Sequence, residues 1–213
     1  MRRGIQGIFM GVIIMIVATQ NLTAAAKNPA DLIPLPAPQR EGGMPLMEAL
    51  SKRQSIREYS TKAIPDPVLS NLLWAAWGYN REDQKKRTAP SSNNKQEFSL
   101  YLAKSDGLFL YDAEAHALRK ISDRDIRKET GKQAFVATAP LNLIMVADTK
   151  QQSSLTSSYA NAGFISENIY LVCASEGLGT VVRGWFDAGQ LHTVMGLSPD
   201  QQIILCQTVG YPK

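Results

Sequence analysis

Residues 87–98, Arg-Thr-Ala-Pro-Ser-Ser-Asn-Asn-Lys-Gln-Glu-Phe, form a polar turn between two apolar segments. Pro90 fixes its own φ and pushes Ala89 towards extended geometry, while Ser91, Ser92, Asn93 and Asn94 can each bond backbone or ligand from a turn. Taken alone the stretch reads as a connecting loop, because Ser/Asn/Pro clusters usually mark connections. Directly after it, Phe98, Leu100 and Leu102 alternate with Glu97, Ser99 and Tyr101, which is the period of a half-buried strand. A second such run at 108–111 follows Ser105-Asp106-Gly107, so the two form a hairpin, with 117–121 as a third strand.

Upstream, Met44, Leu46, Met47 and Leu50 are spaced as on a helix that runs into Arg53-Gln54-Ser55-Ile56-Arg57. Pro65, Asp66 and Pro67 open a second helix with a broad apolar stripe, closed near Gly78. Downstream, 123–130 and 132–138 read as short helices, and Leu-Asn-Leu-Ile-Met-Val-Ala at 141–147 as a strand buried on both faces. The longest helix spans 157–175 and stops at Gly177-Leu178-Gly179; strands at 180–182 and 202–209, with a helix near 190–195 between them, complete the chain. Helices and strands are interspersed and hairpin pairing dominates over βαβ units, so the fold class is α+β.

The 213 residues suit one domain. Residues 1–26 read as a secretory signal: Arg2 and Arg3, an apolar run shorter than a membrane span, and Ala24-Ala25-Ala26 as a cleavage site. An uncleaved N-terminal anchor is the alternative, and the arginine pair also admits a twin-arginine route. The reading thus places the mature protein outside the cytoplasm, in the periplasm or secreted. Residues 27–43, with Pro29, Pro34, Pro36 and Pro38, read as an extended linker, leaving 44–213 as the domain.

The formal charge is +4, and without the two signal arginines the remainder carries +2, too little and too scattered for nucleic acid. Lys85, Lys86 and Arg87, the densest basic run, read as a solvated loop. Cys173 and Cys206 fit either a disulfide or two buried small hydrophobes, and no Cys/His spacing supports a metal. His116 reads as a surface turn residue and His192 as a structural one, and no catalytic triad can be assembled. Arg53, Ser55 and Arg57 alternate, so in extended geometry they share one side, and two guanidiniums around a hydroxyl suit a phosphate. An arginine set, a polar turn and glycines without a protein nucleophile describe a protein whose chemistry belongs to a cofactor.

Together these pieces resemble the nitroreductase-like FMN oxidoreductase family. Residues 53–59 resemble its R-x-S-x-R/K-x-aromatic opening, 90–98 its P-S-S-x-N-x-Q-x-aromatic segment, the helix from Asn168 to Gly179 its N-L-x-L-A-A-x-x-x-G-L-G stretch, and 196–212 its closing L-G-L and G-Y-P. The resemblance implies a three-layer fold with a mostly antiparallel sheet flanked by helices, and flavin mononucleotide (FMN) at a homodimer interface. It also implies that Arg53, Gln54, Ser55 and Arg57 hold phosphate and ribityl, that Pro90, Ser91, Ser92 and Asn94 line the ring, and that Gly177, Leu178 and Gly179 offer backbone donors. Asn93 and Lys95, on the alternate phase, are expected to face solvent, and Lys213 to finish the phosphate site. No catalytic side chain is implied, since the flavin carries the reaction, with a nitroaromatic or quinone as acceptor and the electron donor open. Residues 107–118 resemble the hairpin of the azoline dehydrogenases, although the chain has no Lys-Tyr pair. A peptide-modifying dehydrogenase and a non-catalytic flavin-binding protein are therefore the alternative functions.

Overall fold

The computed structural model describes residues 32–213. Its centre is the continuous apolar run at 141–147, which forms strand β7 (Leu141–Asp148), buried at every position through Ala147. A strand with no polar face must be covered on both sides, and it is. The hairpin read from the sequence lies beside it: β4 (Phe98–Lys104) and β5 (Gly107–Asp112) pair around a two-residue turn, and β6 (Ala117–Ser122) continues the meander. On the other flank are β9 (Gln201–Gly210) and, at the edge, β8 (Gly179–Arg183). With β1 (Leu32–Pro34) the seven strands run in the order β1-β6-β5-β4-β7-β9-β8, all antiparallel.

One face of the sheet is covered by α2 (Asp66–Trp77) and the long α3 (Leu155–Ser175), giving a cluster built from Leu72, Leu73, Leu143, Met145, Ile165 and Ile169. The other carries α4 (Ala188–Met195) with Ile126, Ile144, Val146, Leu191 and Met195. The layers are those of an α+β fold with helices on both sides of an antiparallel sheet. Helix ends follow local chemistry. Pro67 sits in the first turn of α2, Ser154 caps α3 by accepting from Ser157 N–H, and Asp187 caps α4 through Gln190 N–H. A two-stranded ribbon, β2 (Tyr79–Arg81) with β3 (Lys86–Arg87), had no signature in the sequence.

Three expectations are corrected. The stretch 123–130 is helical only as a 3-10 turn at Arg127–Thr130, because the Asp125 carboxylate takes Arg127 N–H at 3.0 Å and competes with helical bonding. Likewise 132–138 yields only a 3-10 turn at Ala134–Ala137, too short a span between Gly131 and Pro140 for helical cooperativity. The described part of the proposed linker is docked rather than free. Leu32–Pro34 adds a strand to β6, where the pairing suits an edge that tolerates proline. The segment then stays on the domain through Leu35 N–H to His116 O (3.1 Å), Gln39 N–H to Asn71 Oδ1 (2.8 Å) and Met44 N–H to Ser175 Oγ (2.9 Å). The signal expected at 1–26 lies outside the described residues.

His116 is the clamp of this strap and not a plain turn residue. Its Nε2 lies 2.7 Å from Ser70 Oγ and 3.1 Å from Pro36 O, and Nδ1 lies 3.0 Å from Tyr111 OH. The network fits the Nε2–H tautomer: Tyr111 donates to Nδ1, while Nε2–H and the Ser70 hydroxyl both point to the Pro36 carbonyl side. Burial, with a smaller contribution from the Arg40 charge, holds the His116 pKa below its usual value. The stabilising contribution is thus complete above the ordinary histidine pKa of about 6.5, and it is lost as pH falls from there through the lowered folded value. A Tm slope between pH 7 and 5 that disappears in His116→Asn, a residue tolerated at the positive φ of 44° found here, is the expected result. An unchanged slope would remove His116 from the clamp.

Cys173 and Cys206 are both buried free thiols, packed on opposite faces of the sheet, so no disulfide joins them. Burial pushes both thiols up, Cys206 to about 12. Neither should react with a thiol reagent in the native protein, and both should after denaturation; rapid native labelling would contradict this packing.

Candidate flavin site

Helix α1 (Leu46–Lys52) ends at Arg53, whose φ of −55° and ψ of 124° turn the chain out of the helix. The segment that follows is stitched against β8 and the C terminus. Ser55 bridges Thr180, Ile56 N–H donates to Thr180 O at 3.0 Å, Tyr59 bridges Pro212, and Lys213 N–H reaches Glu58 O at 3.3 Å. Gly179 makes this approach achievable: a Cβ there would stand 2.8 Å from Ile56 Cβ and Cγ2.

The stitching opens a cleft of about 440 Å³ lined by Lys52, Arg53, Gln54, Ile56, Tyr170, Gly177, Leu178 and Thr180 among others. No carboxylate lines it, so its side-chain charge is purely basic. Both α1 and α3 end here with their carbonyl ends, which repel anions. Any anion held in the cleft therefore depends on Arg53 rather than on helix dipoles, since the Lys52 ammonium is already paired with Glu48 Oε1 at 2.6 Å. Within the cleft the Arg53 guanidinium lies 5.2 Å over the Tyr170 ring, and Ser55 Oγ, on a residue adjoining the lining residues Gln54 and Ile56, lies 2.9 Å from Tyr170 OH. Leu178 N–H is already committed, closing the α3 cap onto Cys173 O at 2.8 Å, so among the three residues expected as backbone donors it is not available.

The opening turn, residues 87–98, lies elsewhere on the same chain. Ser92 donates through both N–H and Oγ to Asn161 Oδ1 (3.1 and 3.2 Å), and Asn161 Nδ2 donates to the buried Glu97 at 2.7 Å. Ser91 Oγ accepts Gln96 N–H at 2.9 Å. Asn161 precedes Tyr170 on α3 by nine residues, about 14 Å of helix, so this wall and the Arg53 cleft do not face each other within one chain. Pro90, Asn93, Asn94 and Lys95 are all exposed. The expected contrast between Asn94 and its neighbours is absent, since Asn93 and Asn94 both take positive φ in a 3-10 turn and the period of two is lost. Arg57 and Lys213 are exposed as well.

Sequence reading missed several residues that shape these walls. Arg87 is no solvated loop residue: it donates to Trp77 O at 2.6 Å and Gln96 Oε1 at 3.0 Å, and lies 4.5 Å over the Trp77 ring, with burial lowering its pKa. Tyr170 and Asn161 were hidden in the long helix. A hydroxyl inside the run Ile169 to Val172 is the signal that could have exposed Tyr170, because a buried phenol needs a partner.

With this arrangement in view, the chain can be set beside known proteins. The model of the Nitroreductase family matches residues 50–211. The chain belongs to the nitroreductase family, and it is an oxidoreductase of that family. A nitroreductase-family protein of Ralstonia eutropha JMP134 has a crystal structure that superposes with a TM-score of 0.82 at 44% identity, covering 86% of this chain and 90% of that one. A relative from Methanocaldococcus jannaschii is 28% identical over 166 residues, 70% of this chain and 83% of its own length. A nitroreductase-family protein of Desulfovibrio desulfuricans, solved in complex with FMN, has the same fold with a TM-score of 0.61 at 20% identity, over 80% of this chain and 88% of that one.

Two further features frame the site of this nitroreductase. Leu155, Tyr159 and Phe164 on α3 are exposed (41%, 52% and 47%) at different sides of the helix, and Leu46 and Met47 on α1 are more so (62% and 75%). A larger cleft of about 670 Å³, lined by Ile64, Leu69, Lys104, Asp106, Arg127 and Pro140 among others, contains none of the residues expected at the flavin.

Proposed function

We propose that this nitroreductase binds FMN between two copies of itself and passes hydride or electrons to a small electron-poor acceptor, a nitroaromatic or a quinone. The observation that carries this reading is the division of the polar residues into two half-sites on one chain, about 14 Å apart along α3, which a second copy can complete. In an isologous two-fold pairing any contact is made twice, so a copy that sets its Ser91-Ser92-Asn94 wall against the Arg53 cleft of the other completes both sites at once.

The residues present fit the cofactor. The cleft has basic and amide side chains without a carboxylate, which suits a phosphate monoester. Arg53, with Ser55 beside it, would hold the phosphate and Gln54 the ribityl hydroxyls, and the Ser91 to Asn94 turn would close the ring side from the partner copy. FMN supplies reversible two-electron chemistry, and the protein positions it, orients the acceptor and shields it from water. The N-terminal signal reading further places the mature enzyme outside the cytoplasm, which N-terminal sequencing of exported protein tests.

The deciding experiment is to purify residues 27–213 and record the visible spectrum and the mass in solution. A yellow dimer that bleaches with dithionite and recolours on addition of a nitroaromatic or quinone is expected. A colourless protein that takes up no added FMN would overturn the reading, and a yellow protein that stays bleached would be a binder without turnover.

A further inference from the structure

We propose that Tyr170 is a positioning residue for the anion grip: it aims the Ser55 hydroxyl proton outward and holds the Arg53 guanidinium over the cleft. The inference rests on the FMN reading for its ligand and on this chain's own geometry for its mechanism.

Tyr170 is only 7% exposed, so its hydroxyl must be paired within the protein. The phenol oxygen already accepts the β8 amide of Val182 at 3.1 Å. Its own proton therefore goes to Ser55 Oγ, 2.9 Å away. Ser55 then serves Tyr170 as acceptor, and its own proton, on an exposed residue between the lining residues Gln54 and Ile56, is left to donate outward. A serine fixed as donor suits ligand oxygens that only accept, which is the condition of a phosphate. The face of the same ring supports Arg53, whose Cζ stands 5.2 Å from the centroid, a distance at which a guanidinium is attracted to the ring. One phenol thus ties α3, β8 and the segment after α1 into a preformed arrangement, and both groups it touches carry hydrogen to an anion.

The test is a double-mutant cycle read by quenching of FMN fluorescence on the purified full domain. Tyr170→Phe keeps the ring beneath Arg53 and deletes the hydroxyl; it should weaken FMN roughly tenfold, as Ser55→Ala should. The double variant should be no weaker than the worse single one, because both disable the same donor: Ser55→Ala deletes the Ser55 hydroxyl and Tyr170→Phe releases its orientation. Tyr170→Leu, which also removes the platform of Arg53, should weaken binding further than Tyr170→Phe. A merely structural tyrosine would instead give additive losses that follow the loss of Tm. Additive losses, or a Tyr170→Phe protein that binds FMN like the wild type, would overturn the inference while leaving the FMN reading intact. If the wild type takes up no FMN, titration of the same five proteins with inorganic phosphate separates the two ideas. Tyr170-dependent phosphate binding would support the positioning role and defeat the FMN reading, and no phosphate binding would defeat both.

Discussion

Arg183→Ala should lower the Tm by roughly 6–20 °C, the largest loss expected from a single side chain in this protein. Arg183 is 5% exposed and has no carboxylate partner among the described residues. Its guanidinium is spread over three neutral acceptors instead: Nε donates to Thr208 Oγ1 at 3.0 Å, Nη1 to Thr130 O at 2.8 Å, and Nη2 to Asn142 Oδ1 at 3.0 Å. Thr130, Asn142 and Thr208 are all buried, so removing the arginine leaves a cavity whose polar lining has lost three charged donors, with only Asn142 Oδ1 keeping one, the Thr208 hydroxyl at 2.6 Å. The loss should be about 3–5 kcal/mol, the range for breaking a buried charged network. Burial lowers the pKa of the guanidinium, yet arginine keeps its charge at any ordinary pH. Lysine should rescue little of the loss, since a single ammonium cannot span acceptors on β7, β9 and the 3-10 turn at Arg127–Thr130. Calorimetry of the alanine and lysine variants checks both statements. An alanine variant within about 1 kcal/mol of the wild type would mean that water replaces the guanidinium without cost.

Gly179→Val should disable the site while the sheet remains. Ile56 stands against the position where the new Cβ would be built, with Cβ and Cγ2 at 2.8 Å and Cγ1 at 3.1 Å. A β-branched side chain has little freedom at χ1, and the Ile56 backbone is tied to Thr180 at 3.0 Å. The segment from Arg53 to Arg57 must therefore move as a unit. Overpacking of this kind costs about 1–3 kcal/mol, and the displaced Arg53 and Ser55 should lower FMN affinity by roughly tenfold or more. Gly177→Ala is the control. Gly177 has a φ of +68° but a Cβ there meets nothing within 4 Å, so the change costs only the left-handed strain of about 1 kcal/mol and should spare the cofactor. Equal FMN binding by the Gly179 and Gly177 variants would show that the docking of Ile56 has no bearing on the site.

The parts of the fold legible in the sequence were those with a strong period or a strong stop. The apolar run of β7, the Ser105-Asp106 hairpin, the Pro-Asp-Pro opening of α2 and the glycine stop after α3 all stand where their residues placed them. The strap at Leu32–Pro34 was not legible, because proline serves an edge strand and a linker equally well and only the partner, β6, decides between them. In the site, Arg53, Gln54, Gly177 and Leu178 share one cleft. That the serine-asparagine turn lies about 14 Å along α3 from Tyr170 could not be read from motif order, which carries no distances. Arg183 and Tyr170 escaped notice for a common reason: each is a polar group inside an apolar run, and its partners come from strands and turns far away in the chain.

The strand order gives the molecule a front and a back. The chain enters the sheet at β1, one edge, and the Arg53 cleft stands at β8, the other, six strand spacings or roughly 29 Å away. The C terminus, by contrast, finishes at the cleft itself, where Pro212 is part of the lining and Lys213 runs beside Glu58. An affinity tag or a surface tether joined ahead of residue 32 leaves the cleft facing away from the attachment, whereas the same tag joined after Lys213 sits in its doorway.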